Sequence, residues 1–234
     1  MAKKILVLSS GGIDSTTCLA LAVKQAGNEN VCSVIIHYGQ RHSKEIFSAK
    51  EVAKYYKVSY YEFNLSDIFK YSSTCSLIDG SEIEVVKDTY ANQVKTTDKI
   101  SSYVPFRNGL MLSVCATLAQ SLWPHDETDI YLGNHLSDFA YADCSSEFVK
   151  YMNAAIEIGT YGYVHFKAPL EHMKKSEVIS LGLSLNVPYE KTWSCYNHTN
   201  MPCGHCASCL ERIAAFEANG VKDPAVYKGE FINE

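Results

Sequence analysis

The chain has 234 residues, 47% of them hydrophobic and 20% charged. At roughly 100–200 residues per domain, this allows one domain with at most a small appendage, and the composition excludes a disordered or low-complexity role. Lys and Arg total 21 against 26 Asp and Glu, a net charge of −5, so no basic field marks a general nucleic-acid binder. No stretch reaches the ~18–20 apolar residues of a membrane span. The short apolar run before Ser10 is no signal-peptide core. A cytoplasmic protein is expected, and its cysteines should serve metal binding or catalysis rather than disulfides.

Lys4 to Ser9 is a continuous apolar run that predicts a strand buried on both faces. A helix follows from Asp14 to Ala26, with Gly27 as its stop. Val31–Ile36 predicts a second strand, Ser43–Tyr56 a second helix, and Tyr60–Leu65 a third strand. Residues 71–104 have no clean periodicity. So long an irregular segment inside a compact domain predicts a lid or binding loop. Helix Asn108–Trp123, strand Asp129–Leu132, helix Ser145–Gly159, strand Tyr163–Phe166 and helix Ser176–Leu185 come next. A last helix spans Ser208 to Asn219. The alternation predicts a doubly wound α/β fold with a mostly parallel sheet, residues 1–190 forming the main domain and 191–234 a C-terminal segment packed on it. Ligands of such sheets sit at the carboxyl ends of the strands. The polar clusters Ser9–Ser15, His37–His42 and Gly133–Asp143 fall there.

Between the first strand and helix lies Ser10-Gly11-Gly12-Ile13-Asp14-Ser15. Two glycines let the backbone approach an anion, and the loop N–H groups and helix N-terminus form a phosphate site. Ser10, Ser15 and Thr16 add hydroxyls. The Walker and dinucleotide patterns do not match, and a plain turn capped by Asp14 or Ser10 is the alternative. Four of the nine cysteines crowd together as Cys195, Cys203, Cys206 and Cys209. Close C-x2-C pairs place two thiolates on one ion, and four complete a tetrahedral Zn²⁺ site. An iron–sulfur cluster is the rival, and His198 and His205 are reserve ligands.

The loop matches the S-G-G-x-D-S signature of the PP-loop ATP pyrophosphatases, which cleave ATP between the α and β phosphates. Further stretches resemble one family within that superfamily, the 7-cyano-7-deazaguanine synthases (QueC) of queuosine biosynthesis. They are Tyr38–Glu45, Val104–Asn108, Tyr141–Cys144 with Glu147-Phe148, Pro169-Leu170 with Lys175 and Glu177, and Thr192–Asn197. The cysteine cluster follows in order, with Leu210 and Arg212 after it. The resemblance implies a PP-loop (adenine nucleotide alpha hydrolase-like) fold with a structural zinc. It implies a ligase that forms C–N bonds from 7-carboxy-7-deazaguanine, ammonia and ATP with Mg²⁺, through an acyl adenylate and an amide. ATP is then expected at Leu8, Ser9, Ser10, Gly11, Gly12, Ile13, Asp14, Ser15, Thr16 and Arg41. The catalytic candidates are Asp14, Ser15, Arg107, Lys175 and Asp143, and the substrate candidates are Phe106, Asp138 and Asp143. Trp193 is a further candidate for stacking on a purine. The family also implies a homodimer, and the net charge of −5 predicts no direct nucleic-acid partner. Alternatives are an enzyme that stops at the amide, or one acting on tRNA or a protein.

Overall fold

The computed structural model describes residues 3–41, 43–72, 74–96, 100–197 and 200–228. His42 and His198 lie outside them. Five parallel strands form one sheet in the order β3-β2-β1-β4-β5. They are β1 (Lys4–Leu8), β2 (Val31–His37), β3 (Ser59–Asn64), β4 (Thr128–Tyr131) and β5 (Val164–Lys167). The long helices are α1 (Ile13–Ala26), α2 (Ser43–Tyr56), α5 (Arg107–Leu122), α6 (Ser146–Gly159), α7 (Lys175–Ser184) and α8 (Ala207–Glu217), with short α3 (Ser66–Phe69) and α4 (Tyr90–Thr96) between α2 and α5.

The alternation of side chains along β1 explains its unbroken apolar run. Leu6 and Leu8 face Met111, Leu112 and Cys115 of α5, while Ile5 and Val7 face α1, α7 and α8 through Leu19, Ile179 and Phe216. A parallel strand covered on both faces needs an apolar residue at every position. At the β3 edge most side chains are exposed, and Glu62 there pairs with Lys50 at 2.8 Å, a charged edge that discourages pairing with another chain.

From β1 the chain builds outward through β2 and β3, then returns to place β4 on the other side of β1. That reversal makes a topological switch point, where adjoining loops diverge and leave a crevice at the carboxyl ends of the strands. The glycine loop after β1 and the Gly133–Asp138 segment after β4 flank it. Two glycines permit their closeness. Gly11 has φ of +79°, and a Cβ there would lie 2.4 Å from the Glu45 carbonyl oxygen of α2. A Cβ on Gly133 would lie 2.8 Å from the Asp14 backbone. Among the described residues no helix is long and apolar enough to cross a membrane.

Candidate active site

Gly12 is the N-cap residue of α1 and has no side chain to cap the helix. The first-turn N–H groups, with their partial positive charge, belong to residues that line the crevice, Gly12 to Ser15. Ser10 and Ser15 hold the loop from within. Their hydroxyls are 3.1 Å apart, the Ser10 N–H donates to Ser15 Oγ at 3.2 Å, and the Gly12 N–H donates to Ser10 Oγ at 3.3 Å. The C-terminal segment braces the loop from behind, since the Trp193 N–H donates to the Gly11 carbonyl at 2.9 Å. Thr16 is buried and lies below the crevice rather than lining it.

Beyond the loop lies an ionic cluster drawn from three elements. The Lys175 ammonium, at the start of α7, donates to Asp14 Oδ2 at 2.6 Å and lies 3.1 Å from His135 Nε2. Asp138 Oδ2 accepts the His135 N–H at 2.9 Å, and Glu211 of α8 lines the same cavity. His135 Nδ1 accepts the Ser137 N–H at 3.2 Å, so both ring nitrogens face N–H donors, the second being the Lys175 ammonium. Burial pushes His135 down to about 4, with the Lys175 charge acting in the same direction against the pull of Asp14. Burial, and then the Asp14 charge, push Asp138 up to about 7. For Asp14, burial raises the pKa, but Lys175 and His135 outweigh it and the net shift is downward. Burial disfavours the Lys175 charge, and Asp14, Glu211 and Asp138 more than compensate. The result is an ammonium fixed against an ionised Asp14 beside the phosphate loop. Asp14 Oδ1 is buried without a hydrogen-bond partner among the described residues, an acceptor fit for a hard cation.

The cavity widens beyond this cluster toward an aromatic end lined by Tyr38, Tyr90, Tyr141, Tyr196 and Trp193, with Glu45 and Arg107. Tyr90 belongs to α4, within the aperiodic segment 71–104, so that segment builds one wall of the cavity, as a binding loop would. The Arg107 guanidinium sits 5.3 Å from the centre of the Tyr38 ring. Burial opposes its charge, yet Tyr38 and Asp143 hold its pKa above the ordinary value. Burial pushes Glu45 up to about 7 against the opposing effect of Arg107.

Leu8, Ser9, Ser10, Gly12, Ile13, Asp14, Ser15, Arg107, Asp138 and Lys175 thus meet around one cavity. Three candidates are engaged elsewhere. Arg41 donates to the carbonyls of Ser81, Ile83 (2.9 Å) and Ile78 (3.3 Å). Its guanidinium fastens the 71–104 segment and is not among the residues that line the cavity. Phe106 is exposed, with φ of +49°, and its ring covers Gly109 and meets Phe148 edge-on at 6.2 Å. It does not line the cavity. Asp143 is buried, and its Oδ2 accepts the Asn108 N–H at 2.9 Å. Its carboxylate satisfies the N-terminus of α5, a placement the helix dipole favours.

The cavity also draws on residues absent from the expected set. Ser208 and Glu211 line it from α8 at a spacing of three, which puts them on one helical face. That spacing was the only available signal for Glu211. Glu45 and His135 lay inside the quoted strand-end stretches without a role of their own.

The four cysteines are all buried, and their Sγ atoms lie within 4.8 Å of one another. Around one tetrahedral ion with Zn–S bonds of about 2.3 Å, sulfurs stand about 3.8 Å apart, so the set forms a metal site with little adjustment. Cys195 Sγ accepts the N–H of Cys203 at 3.3 Å and of Asn197 at 3.4 Å. Cys203 Sγ accepts the N–H of Cys206 at 3.3 Å and of His205 at 3.5 Å. Such donors favour thiolates. Hydrogen bonds from Cys206 and Cys209 hold Cys195 far below the ordinary thiol range. His205 is turned away, its Nδ1 2.7 Å from the Cys203 carbonyl oxygen. The site joins the segment just after Trp193 to the start of α8, beside the cavity wall that carries Tyr196, Ser208 and Glu211.

A parallel α/β sheet whose switch point carries the Ser10-Gly11-Gly12-Ile13-Asp14-Ser15 loop, with a helix starting behind it, is the arrangement of the PP-loop class of ATP-dependent enzymes. The solved NMN synthetase of Francisella tularensis shares the fold, with a TM-score of 0.51 at 15% identity over 94% of this chain and 79% of that one. The family described as "Queuosine biosynthesis protein QueC" matches residues 4–220, and the chain belongs to it. Similar proteins include the 7-cyano-7-deazaguanine synthases of Archaeoglobus fulgidus, 40% identical over 98% of this chain and 92% of its relative, and of Oceanobacillus iheyensis, 38% identical over 96% and 98%.

Proposed function

We propose that the chain converts 7-carboxy-7-deazaguanine, ammonia and ATP to 7-cyano-7-deazaguanine. The observation that carries this reading is the single cavity in which the phosphate loop, the Lys175–Asp14 pair and an aromatic end meet. One end suits a nucleotide's phosphates and the other a planar heterocycle, as adenylation of a base-borne carboxylate requires.

The chemistry runs in two rounds. A carboxylate oxygen attacks the ATP α-phosphorus, and pyrophosphate leaves to the loop. Ammonia attacks the acyl carbon, AMP departs with one carboxylate oxygen, and a proton is lost to give the amide. The amide oxygen attacks a second ATP, pyrophosphate leaves again, and loss of AMP and the remaining N–H protons gives the nitrile. The loop N–H groups and the hydroxyls of Ser10 and Ser15 receive the pyrophosphate charge. Lys175, held by Asp14, offsets the charge that builds on the α-phosphate, a contribution worth most where water is excluded. Mg²⁺, held by Asp14 and Asp138, supplies further neutralisation of phosphate charge when bound. Arg107 orients the carboxylate. The four cysteines hold a structural zinc. Their short mutual distances support one ion over a cubane cluster, in which each thiolate binds a different iron and the sulfurs stand further apart. We further infer a cytoplasmic homodimer.

The nitrogen donor follows from the same residues. Cys18, Cys32, Cys75 and Cys115 are buried and Cys144 is half-buried at the cavity, and burial raises the thiol pKa of each of the five, the opposite of an activated glutaminase nucleophile. The enzyme therefore takes free ammonia. Release of AMP and pyrophosphate should require 7-carboxy-7-deazaguanine, proceed with ammonium salts, and fall to background with ammonia-free glutamine. Release of ADP and phosphate, or equal turnover with glutamine, would overturn the assignment.

A further inference from the structure

The aromatic end of the cavity has its own polar logic. Its tyrosines largely satisfy one another and their neighbours. Tyr90 and Tyr196 share a hydrogen bond of 2.8 Å between their hydroxyls, Tyr141 and Ser102 share one of 2.9 Å, and the Tyr90 and Tyr141 rings meet edge-on at 5.8 Å. The charged side chains at this end are Glu45 from α2 and Arg107 from α5, the latter 5.3 Å from the centre of the Tyr38 ring. They are close enough to influence each other electrostatically, yet form no direct ion pair among the described residues. The Glu45 carboxylate makes no hydrogen bond or ion pair there either. An acceptor pair and a donor fork thus line the same cavity as the tyrosines and Trp193.

A carboxylate offers two acceptors in one plane, and a guanidinium offers donors in a planar fork. The matching ligand edge carries two adjacent N–H donors followed by a carbonyl acceptor. Guanine and 7-deazaguanine have that edge in N1–H, the 2-amino group and O6. We propose that Glu45 reads the N1–H and 2-amino group of the deazaguanine ring while Arg107 takes O6, making this pair the determinant of base specificity. The inference rests on the reaction proposed above. Because O6 and the 7-substituent lie on the same side of the ring, Arg107 also orients the reacting carboxylate. Adenine presents an unprotonated N1 at the corresponding place, a lone pair against the Glu45 oxygens. The same pair therefore excludes the adenine of ATP from the acceptor end and keeps two purines in separate halves of one cavity.

The test uses the full metal-loaded chain and two bases, 7-carboxy-7-deazaguanine and its analogue lacking the 2-amino group. Wild type should favour the 2-amino base by on the order of 10–100-fold in kcat/KM, the range of one good bidentate contact. Glu45→Gln should abolish most of that preference, chiefly through KM for the base, while KM for ATP, metal content and melting temperature stay unchanged. Glu45→Asp should retain the preference at a raised KM, and it serves as the probe if the Gln variant fails to fold. A Gln variant that keeps the wild-type preference overturns the proposal, as does a rise in KM for ATP equal to that for the base. If wild type turns over neither base, the proposed reaction fails. Calorimetry with the same two bases then still decides the subsite, and equal affinity of wild type for both would overturn it.

Discussion

His135 is nearly fully buried beside a lysine ammonium, and the protein holds it neutral at a cost that appears on acidification. Its pKa falls from 6.5 to about 4 on folding, chiefly through burial. The unfolded chain therefore binds a proton between these values that the folded chain refuses. The folded state is fully favoured above pH 6.5 and loses stability as pH falls toward 4. At 1.36 kcal/mol per pKa unit, the whole shift corresponds to about 3 kcal/mol, and about 2 kcal/mol of that is lost between pH 7.5 and pH 5. In His135→Asn the side-chain oxygen can still accept the Ser137 N–H while the titrating group is gone. Urea unfolding of both proteins at half-unit steps from pH 7.5 to 5, with metal present, isolates the difference. Wild type should lose about 2 kcal/mol relative to the variant over that range. Two curves that run parallel would refute the reasoning, because they would mean that His135 titrates alike in both states.

Other perturbations probe the remaining parts of the account. Asp14→Asn and Ser15→Ala should each lower the rate of AMP release by on the order of 10²–10³ while the folded structure persists, as loss of one preorganised contact to developing charge does; near-normal release by both would contradict the loop's role. Cys206→Ser should lose bound metal and unfold the C-terminal segment, since structural zinc supplies roughly 10–16 kcal/mol in small motifs; metal analysis with thermal melting checks this, and an unaltered metal content would contradict it. Arg212→Met should cost about 3–5 kcal/mol. It leaves the buried Asp223 carboxylate without the guanidinium now 2.7 and 2.9 Å away, and it frees Thr192 from a 2.8 Å hydrogen bond next to the residue that braces Gly11. An unchanged urea midpoint would show that this ion pair is not what anchors α8.

The path from sequence to site was clearest where local rules decide the structure. The β1 run is apolar at every position because both sheet faces are covered. The glycine loop declares itself because Gly11 must take a positive φ against the backbone of α2. Three cysteines within seven residues can hardly do other than meet. The resemblance to a known family brought in Lys175, which lies far along the chain from the loop it serves. What stayed hidden depended on long-range partners. The sequence could not reveal that the 71–104 segment offers Arg41 three carbonyls. Nor could it reveal that Asp143 accepts a helix N–H from Asn108, 35 residues earlier. Phe106 turned outward because its left-handed backbone aims the ring across Gly109. Glu45 and Glu211 carry ordinary surface-helix residue types, and only the packing of α2 and α8 around the cavity gives them a site.

The most direct measurement follows the oxygen atoms. When 7-carboxy-7-deazaguanine bearing ¹⁸O at both carboxylate positions reacts with ATP and ammonia, mass spectrometry of base and nucleotide products reads the whole sequence of steps. Each adenylation ends with one carboxylate oxygen leaving on AMP. The account therefore predicts a label-free nitrile and two AMP per nitrile, each AMP carrying one ¹⁸O. An amide that retains one ¹⁸O with a single AMP, or AMP without label, would contradict it.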